Sequence, residues 1–238
     1  ILEEFHNFSM QLSEVEKRLK QDIRMKNKEV IKPIIKEEIQ KVFSGQYFQC
    51  RDESEVLRAV HMIEVYGFYS SLKKDILDLT ENDLKDFDVV ITAFGAWTED
   101  TLPLHKTTVE HLANILANKN TRLLVVGGAG SLYTDESLTT QLFTTPDFPA
   151  DYYPIASNQA KGLDVLRNRK DVKWTYVSPA AEFDFEAERK GDYQLAGEVF
   201  TVNSKGESKI SYADYAIAMV DEAEKGNHIN QRISVLWK

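Results

Sequence analysis

The stretch Arg122-Leu-Leu-Val-Val-Gly-Gly-Ala-Gly-Ser-Leu-Tyr133 constrains what this chain can fold into more than any other. An unbroken apolar run, Leu123 to Val126, leads straight into three glycines, Gly127, Gly128 and Gly130. A strand with no polar alternation is buried on both faces, which happens when helices cover both sides of a parallel sheet. Glycines at its end widen the accessible φ range and let another group come close to bare backbone. In one reading that group is a ligand, because ligands collect beyond the carboxyl ends of parallel strands. In the other, the glycines serve only the turn.

The surrounding pattern supports the same architecture. Asp88-Val-Val-Ile-Thr-Ala93 reads as a second buried strand that exits into Phe94-Gly95-Ala96-Trp97. Leu104, Val109, Leu112, Ile115 and Leu116 recur at helical spacing between the two strands, and strand–helix–strand implies a parallel crossover. Thr80 and Asp83 are spaced as a capping box. Further on, the pattern predicts a helix from about 154 to 167, a strand over 172–177 and an irregular, charge-rich segment. It then predicts a hairpin over 200–210 turning at Lys205-Gly206, a helix capped by Ser211 and Asp214 and closed by Gly226, and a final strand over 232–237.

The front of the chain reads differently. Phe5, Phe8, Leu12, Val15 and Leu19 describe an amphipathic helix, and a second helix over about 29–43 closes at Gly45. Residues 1–45 are therefore expected to be a helical segment preceding a domain over 46–238, and to be able to serve as an oligomerisation or docking arm. Residues 46–72 suggest strand, helix, strand. The first turn of such a unit carries G-x-G-x-x-G in dinucleotide-binding folds, but here it holds Asp52, Glu53 and Glu55, whose charge opposes a pyrophosphate.

Composition narrows the function classes. The formal charge is −9, and it lies in the body: residues 1–74 carry 13 Lys+Arg against 12 Asp+Glu, whereas the rest carry 16 against 26. An acidic body disfavours nucleic acid, whose phosphates need clustered cations. The single Cys50 permits no internal disulfide, and no apolar run approaches the ~20 residues that span a bilayer, so the expected location is the cytoplasm, away from membranes. His105 and His111 have no carboxylate or cysteine at metal-ligand spacing.

From Lys74 onward the chain resembles the atypical short-chain dehydrogenase/reductase proteins, in particular the NADH-flavin reductase-like group akin to the NmrA-like proteins. The likeness is carried by Lys74–Thr80, Phe87–Gly95, Thr121–Tyr133, Thr145–Pro149, Trp174–Ala180 and Ile210–Ala218. It implies an α/β, Rossmann-like parallel sheet with helices on both faces that binds NADP or NAD, with a small molecule such as a flavin as substrate. By the same resemblance, Ala93, Phe94 and Gly95 pass over the adenosine and ribose side. Gly127, Gly128, Ala129 and Ser131 face the nicotinamide, Pro179 and Ala180 close over it, and Asp75 joins the cofactor-binding set. Ser131 matches the superfamily's catalytic serine and Lys161 its lysine. The usual tyrosine, four positions before that lysine, is replaced by Ser157. Tyr153 stands eight before it, about 12 Å along a helix, out of reach of that role.

Blander readings stand beside these. Ser131 can simply cap a turn, Lys161 can be a solvated charge, and Phe94 and Trp97 suit either stacking on a ring or core packing. The functions expected are an NAD(P)H-dependent oxidoreductase or, alternatively, a non-catalytic nucleotide-sensing regulator that has lost its phosphate loop.

Overall fold

The computed structural model describes residues 75–238. The helices expected over 1–45, the strand–helix–strand unit over 46–72 and the acidic turn at Asp52–Glu55 lie outside the described residues. Seven strands follow: β1 (Val89–Thr92), β2 (Arg122–Val126), β3 (Lys173–Pro179), β4 (Glu182–Asp184), β5 (Tyr193–Ala196), β6 (Lys209–Ser211) and β7 (Gln231–Trp237). The helices among them are α1 (Glu81–Leu84), α2 (Leu104–Ile115), α3 (Tyr153–Arg167) and α4 (Tyr212–Lys225).

Five strands form one sheet in the order β1-β2-β3-β7-β5. The first four run parallel, and β5 is antiparallel to β7. In register, Val125 pairs with Tyr176 and Tyr176 with Arg232, so these three side chains share one face. Helices α2 and α3 cover that face, and they approach closely at Gly162, where a Cβ would lie 3.0 Å from the His105 carbonyl oxygen. On the other face Leu124, Val177, Ile233, Val235 and Trp237 pack against Tyr215, Ala218 and Met219 of α4. Helices thus lie on both faces of a mostly parallel, Rossmann-like sheet, which is why β2 carries no polar alternation. Complete burial of Leu123 and Leu124 contributes about 1.5–3 kcal/mol for each side chain.

The caps form as their spacing predicts. Thr80 and Asp83 close a capping box on α1. The Asp214 N–H donates to Ser211 Oγ at 3.0 Å, and Gly226 ends α4 in the left-handed region at φ 63°. Asp214 is itself fully buried, and its carboxylate reaches beyond the helix. It accepts the Lys190 and Gly191 N–H groups at 2.9 and 2.8 Å and the Trp237 indole N–H at 2.7 Å. One side chain therefore ties the start of α4 to β7 and to the loop before β5.

The hairpin over 200–210 is not what forms. The turn exists, with Gly206 at φ 80° and Asn203 Oδ1 accepting the Lys205 and Glu207 N–H groups. The flanks meet only at the base of the turn, where the Asn203 N–H donates to the Glu207 carbonyl at 2.9 Å; further out they diverge, Phe200 N–H donating to the Tyr133 carbonyl at 2.8 Å while β6 pairs in parallel with β4. The expected irregular segment also contains two strands, β4 and β5. Among the described residues no helix is long and apolar enough to cross a membrane, and no group of three or more His, Cys, Asp or Glu could hold a metal ion.

Candidate functional site

The expected site residues fall mostly on the segments leaving the carboxyl ends of β1, β2 and β3. After β1, Ala93 and Gly95 are exposed and Phe94 is half-buried. His105, in the first turn of α2, fixes this loop: its Nε2 lies 3.0 Å from the Ala96 carbonyl oxygen, and its ring meets Phe94 edge-on at 5.4 Å. A carbonyl only accepts, so Nε2 carries the hydrogen. Burial holds the imidazole pKa below its ordinary value, against the opposing effect of that bond. Above Gly95 there is room: the nearest atom to an added Cβ would be Trp97 Nε1, at 3.5 Å.

The glycines after β2 are in the opposite condition. A Cβ on Gly127 would lie 2.0 Å from the Tyr176 ring, one on Gly128 2.1 Å from Gln159 Oε1, and one on Gly130 2.6 Å from Ala156 Cβ. The close approach that these glycines predict is real, but the groups approaching are the protein's own. The Gly127 N–H is used by the Val177 carbonyl at 2.8 Å, and the Gly128 N–H faces the Tyr176 hydroxyl. Burial pushes that hydroxyl's pKa up to about 12. The cavity beneath, bounded by Thr92, Phe94, His105, Gln159 and Tyr176, measures about 20 Å³, room for about one water. A ring-sized ligand does not fit in this cavity, and the open surface beside it is the rim formed by the exposed Ala93 and Gly95. The rim fits the ribose and ring end of a nicotinamide nucleotide. For the pyrophosphate, the described residues contain no G-x-G-x-x-G turn.

Ser131 is 2% exposed, and its Oγ accepts a hydrogen bond from Arg232 Nη1 at 3.0 Å. A guanidinium only donates, so the serine's own hydrogen is left to point elsewhere. Arg232 also donates to the Glu198 carbonyl at 3.1 Å and pairs with the Glu198 carboxylate, which Arg167 meets at 2.7 Å. Burial lowers the Arg232 pKa, and Glu198 opposes the shift. Both guanidiniums face the Tyr133 ring, at 5.6 and 5.7 Å.

Lys161 is exposed on α3, its Nζ donating to Asn158 Oδ1 at 3.2 Å. Ser157 uses its hydroxyl on the Pro154 carbonyl at 3.0 Å. The structure thus joins Ser131 to Arg232, while the contacts of Lys161 stay within its own helix. Pro179 and Ala180 are buried at the end of β3, and Ala129 is half-buried. Asp75 is exposed and caps the turn Ile76–Asp78 by accepting the Leu77 N–H at 2.8 Å. Sequence reasoning missed Arg232, Glu198, Tyr176 and Gln159. Only Arg232 left a trace, as a lone cation entering the apolar run Ile233–Trp237.

A family described as NAD(P)H-binding matches residues 73–225. YwnB of Bacillus subtilis, an uncharacterized protein, is 49% identical over 166 residues, 69% of this chain and 78% of YwnB. A crystal structure from Streptococcus pneumoniae, provisionally named an NADH-flavin reductase, is 55% identical, with a TM-score of 0.70 over 75% of this chain and 85% of that one. One from Bacteroides thetaiotaomicron, provisionally named an epimerase, is 30% identical, with a TM-score of 0.61 over 74% and 80%. With the family spanning more than half of its length, the chain belongs to the NAD(P)H-binding family.

Proposed function

We propose that the protein is an NAD(P)H-dependent reductase whose acceptor is a flavin or a quinone and not an alcohol-forming carbonyl. The observation that carries this is at Ser157: the position of the usual tyrosine holds a serine whose hydroxyl is committed to the Pro154 carbonyl, so no proton donor stands there. Carbonyl reduction needs such a donor. Ring acceptors need mainly alignment, since the cofactor supplies the chemistry. A nicotinamide nucleotide held by the residues named below would supply a hydride, that is two electrons and a proton's worth of hydrogen, to the acceptor, with water giving the balancing proton. The similarity to the Streptococcus protein supports the same reading.

In this reading the exposed backbone of Ala93 and Gly95, with Phe94, receives the ribose side. Gly127, Gly128, Ala129 and Ser131 bound the nicotinamide side, with Pro179 and Ala180 closing it. Lys161 orients the ribose, Asp75 lies toward the adenosine, and the Arg232 contact holds the Ser131 hydroxyl in one orientation. The cytoplasm is the proposed location. A second reading, a non-catalytic nucleotide sensor, is favoured by the filling of the Gly127–Gly128 notch by Tyr176 and Gln159. Titration of the full chain with NADPH and with NADH, followed by nicotinamide fluorescence, and then turnover with FMN or menadione, separates the two. Saturable binding with turnover supports the reductase. Binding without turnover supports the sensor, and no binding at millimolar nucleotide overturns both.

A further inference from the structure

Side chains on the α3-covered face of the sheet shrink abruptly toward its carboxyl end. One row across the strands is Val125, Tyr176 and Arg232. Two residues further along, the same face carries Gly127, Ser178 and Ser234, with the two serines paired in register. Tyr176 leans over Gly127, its ring 2.0 Å from where a Cβ would lie. The two serines are left with a different problem.

Ser178 and Ser234 are 0% and 3% exposed, and neither hydroxyl has a hydrogen-bond partner in the protein. Arg232 stands two residues before Ser234 on the same strand and face, and its Nε is in the same condition, although Nη1 and Nη2 are engaged by Ser131 and Glu198. Among the described residues the other two buried atoms of this kind, Arg122 Nε and Trp174 Nε1, lie at the amino-terminal ends of their strands and away from this row. A buried hydroxyl or N–H without a partner has given up its bonds to solvent and received none in return, so folded proteins seldom leave one that way. Three of them on adjacent positions of two paired strands share one remedy.

We infer that an internal water molecule bridges Ser178 Oγ and Ser234 Oγ and accepts the Arg232 Nε–H as its third bond. Neighbouring strands lie about 4.8 Å apart, a span that two O–H···O bonds of about 2.8 Å cross through a shared oxygen. The occupant is neutral, because Glu198 already meets the Arg232 charge and a buried anion would have that carboxylate close by. It must accept from the guanidinium, which only donates, and can give its own hydrogens to the serine oxygens. Water has that valence, and about three bonds is its usual number in a buried site. The water extends the connection from Ser131 through Arg232 to the carboxyl ends of β3 and β7, fastening the strand that leads into Pro179 and Ala180 to the loop that bears Ser131. It does not depend on which reaction the protein performs.

Urea unfolding of the full chain is followed for wild type, Ser178→Ala, Ser234→Ala and the double variant. Dry and bridged hydroxyls give opposite signs: removing a dry one relieves a buried polar group, whereas removing a bridged one takes a bond from the water. Each single substitution is expected to raise the unfolding equilibrium constant by about three- to tenfold, and the double variant to raise it by less than the product of the two, because one water serves both. Single variants as stable as wild type or more so overturn the proposal, and so does a double variant that equals the product. A crystal structure of the wild-type chain reads the site directly. An ordered oxygen within hydrogen-bond distance of both Oγ atoms and Arg232 Nε is expected. A dry site or a direct Ser178–Ser234 bond overturns the proposal, as does an anomalous peak at that position in crystals grown with bromide, which would make the occupant an anion.

Discussion

Gly127 and Gly95 show how much one side chain decides. The same residue type stands at both strand exits, but a Cβ on Gly127 would enter the Tyr176 ring, whereas one on Gly95 meets ordinary contact distances. Gly127→Ala is expected to destabilise the fold by about 1–3 kcal/mol in urea unfolding. Gly95→Ala should stay within about 0.5 kcal/mol of wild type and report only on ligand affinity. The sequence shows that something approaches these glycines closely but not what, because Tyr176 and Gln159 reach them from distant segments. Ser131→Ala leaves Arg232 Nη1 without its acceptor in a buried site and is expected to lower stability by about 1–3 kcal/mol. His105 makes stability depend on pH. Its folded pKa lies below the ordinary 6.5, so between the two values the unfolded chain binds more protons. Its contribution is complete above pH 6.5 and is lost as the pH falls from there toward the folded value. Urea midpoints at pH about 7.5 and 5.5 should differ less in His105→Gln, which retains a donor to Ala96.

Among the elements, legibility in the sequence followed locality. The capping box on α1, the Ser211 cap and Gly226 stop of α4, and the buried runs of β1, β2, β3 and β7 are each set by neighbours a few residues apart. The parallel pair β4 and β6 is three residues wide on each strand and joins positions 27 apart, Glu182 to Lys209, so no periodicity announces it. The segment after β5 likewise has its partner at Tyr133, so the turn at Lys205-Gly206 is legible but the expected hairpin goes no further than the Asn203–Glu207 bond. Asp214 joins elements that sequence proximity does not. Asp214→Asn replaces an acceptor with a donor against four donor groups, and a loss of about 2–3 kcal/mol is expected, with Trp237 emission shifting to longer wavelength.

For the whole molecule, the fold class was readable because a doubly covered parallel sheet needs continuous apolar strands, and this chain supplies them. The site was readable only as a place. Loops after strands could be marked, but the buried Ser131–Arg232–Glu198 connection crosses about a hundred residues of chain and leaves no spacing to find. The net charge of −9 predicts that the full chain does not bind duplex DNA at physiological salt; retention in a gel-shift titration would contradict it. We further propose that the amphipathic 1–45 segment mediates self-association, so that a chain beginning at Lys74 should elute as a smaller assembly than truncation alone explains.

The position of β7 between β3 and β5 has a consequence for biosynthesis. The strand that separates them is the last of the seven to leave the ribosome. Until it arrives, the growing polypeptide carries an open, apolar flank along Thr175–Pro179, the kind of surface that recruits stray strands from neighbouring nascent chains. Pulse-labelled, arrested chains that stop before Gln231 should therefore associate with holdase chaperones, and release should coincide with synthesis of Gln231–Trp237.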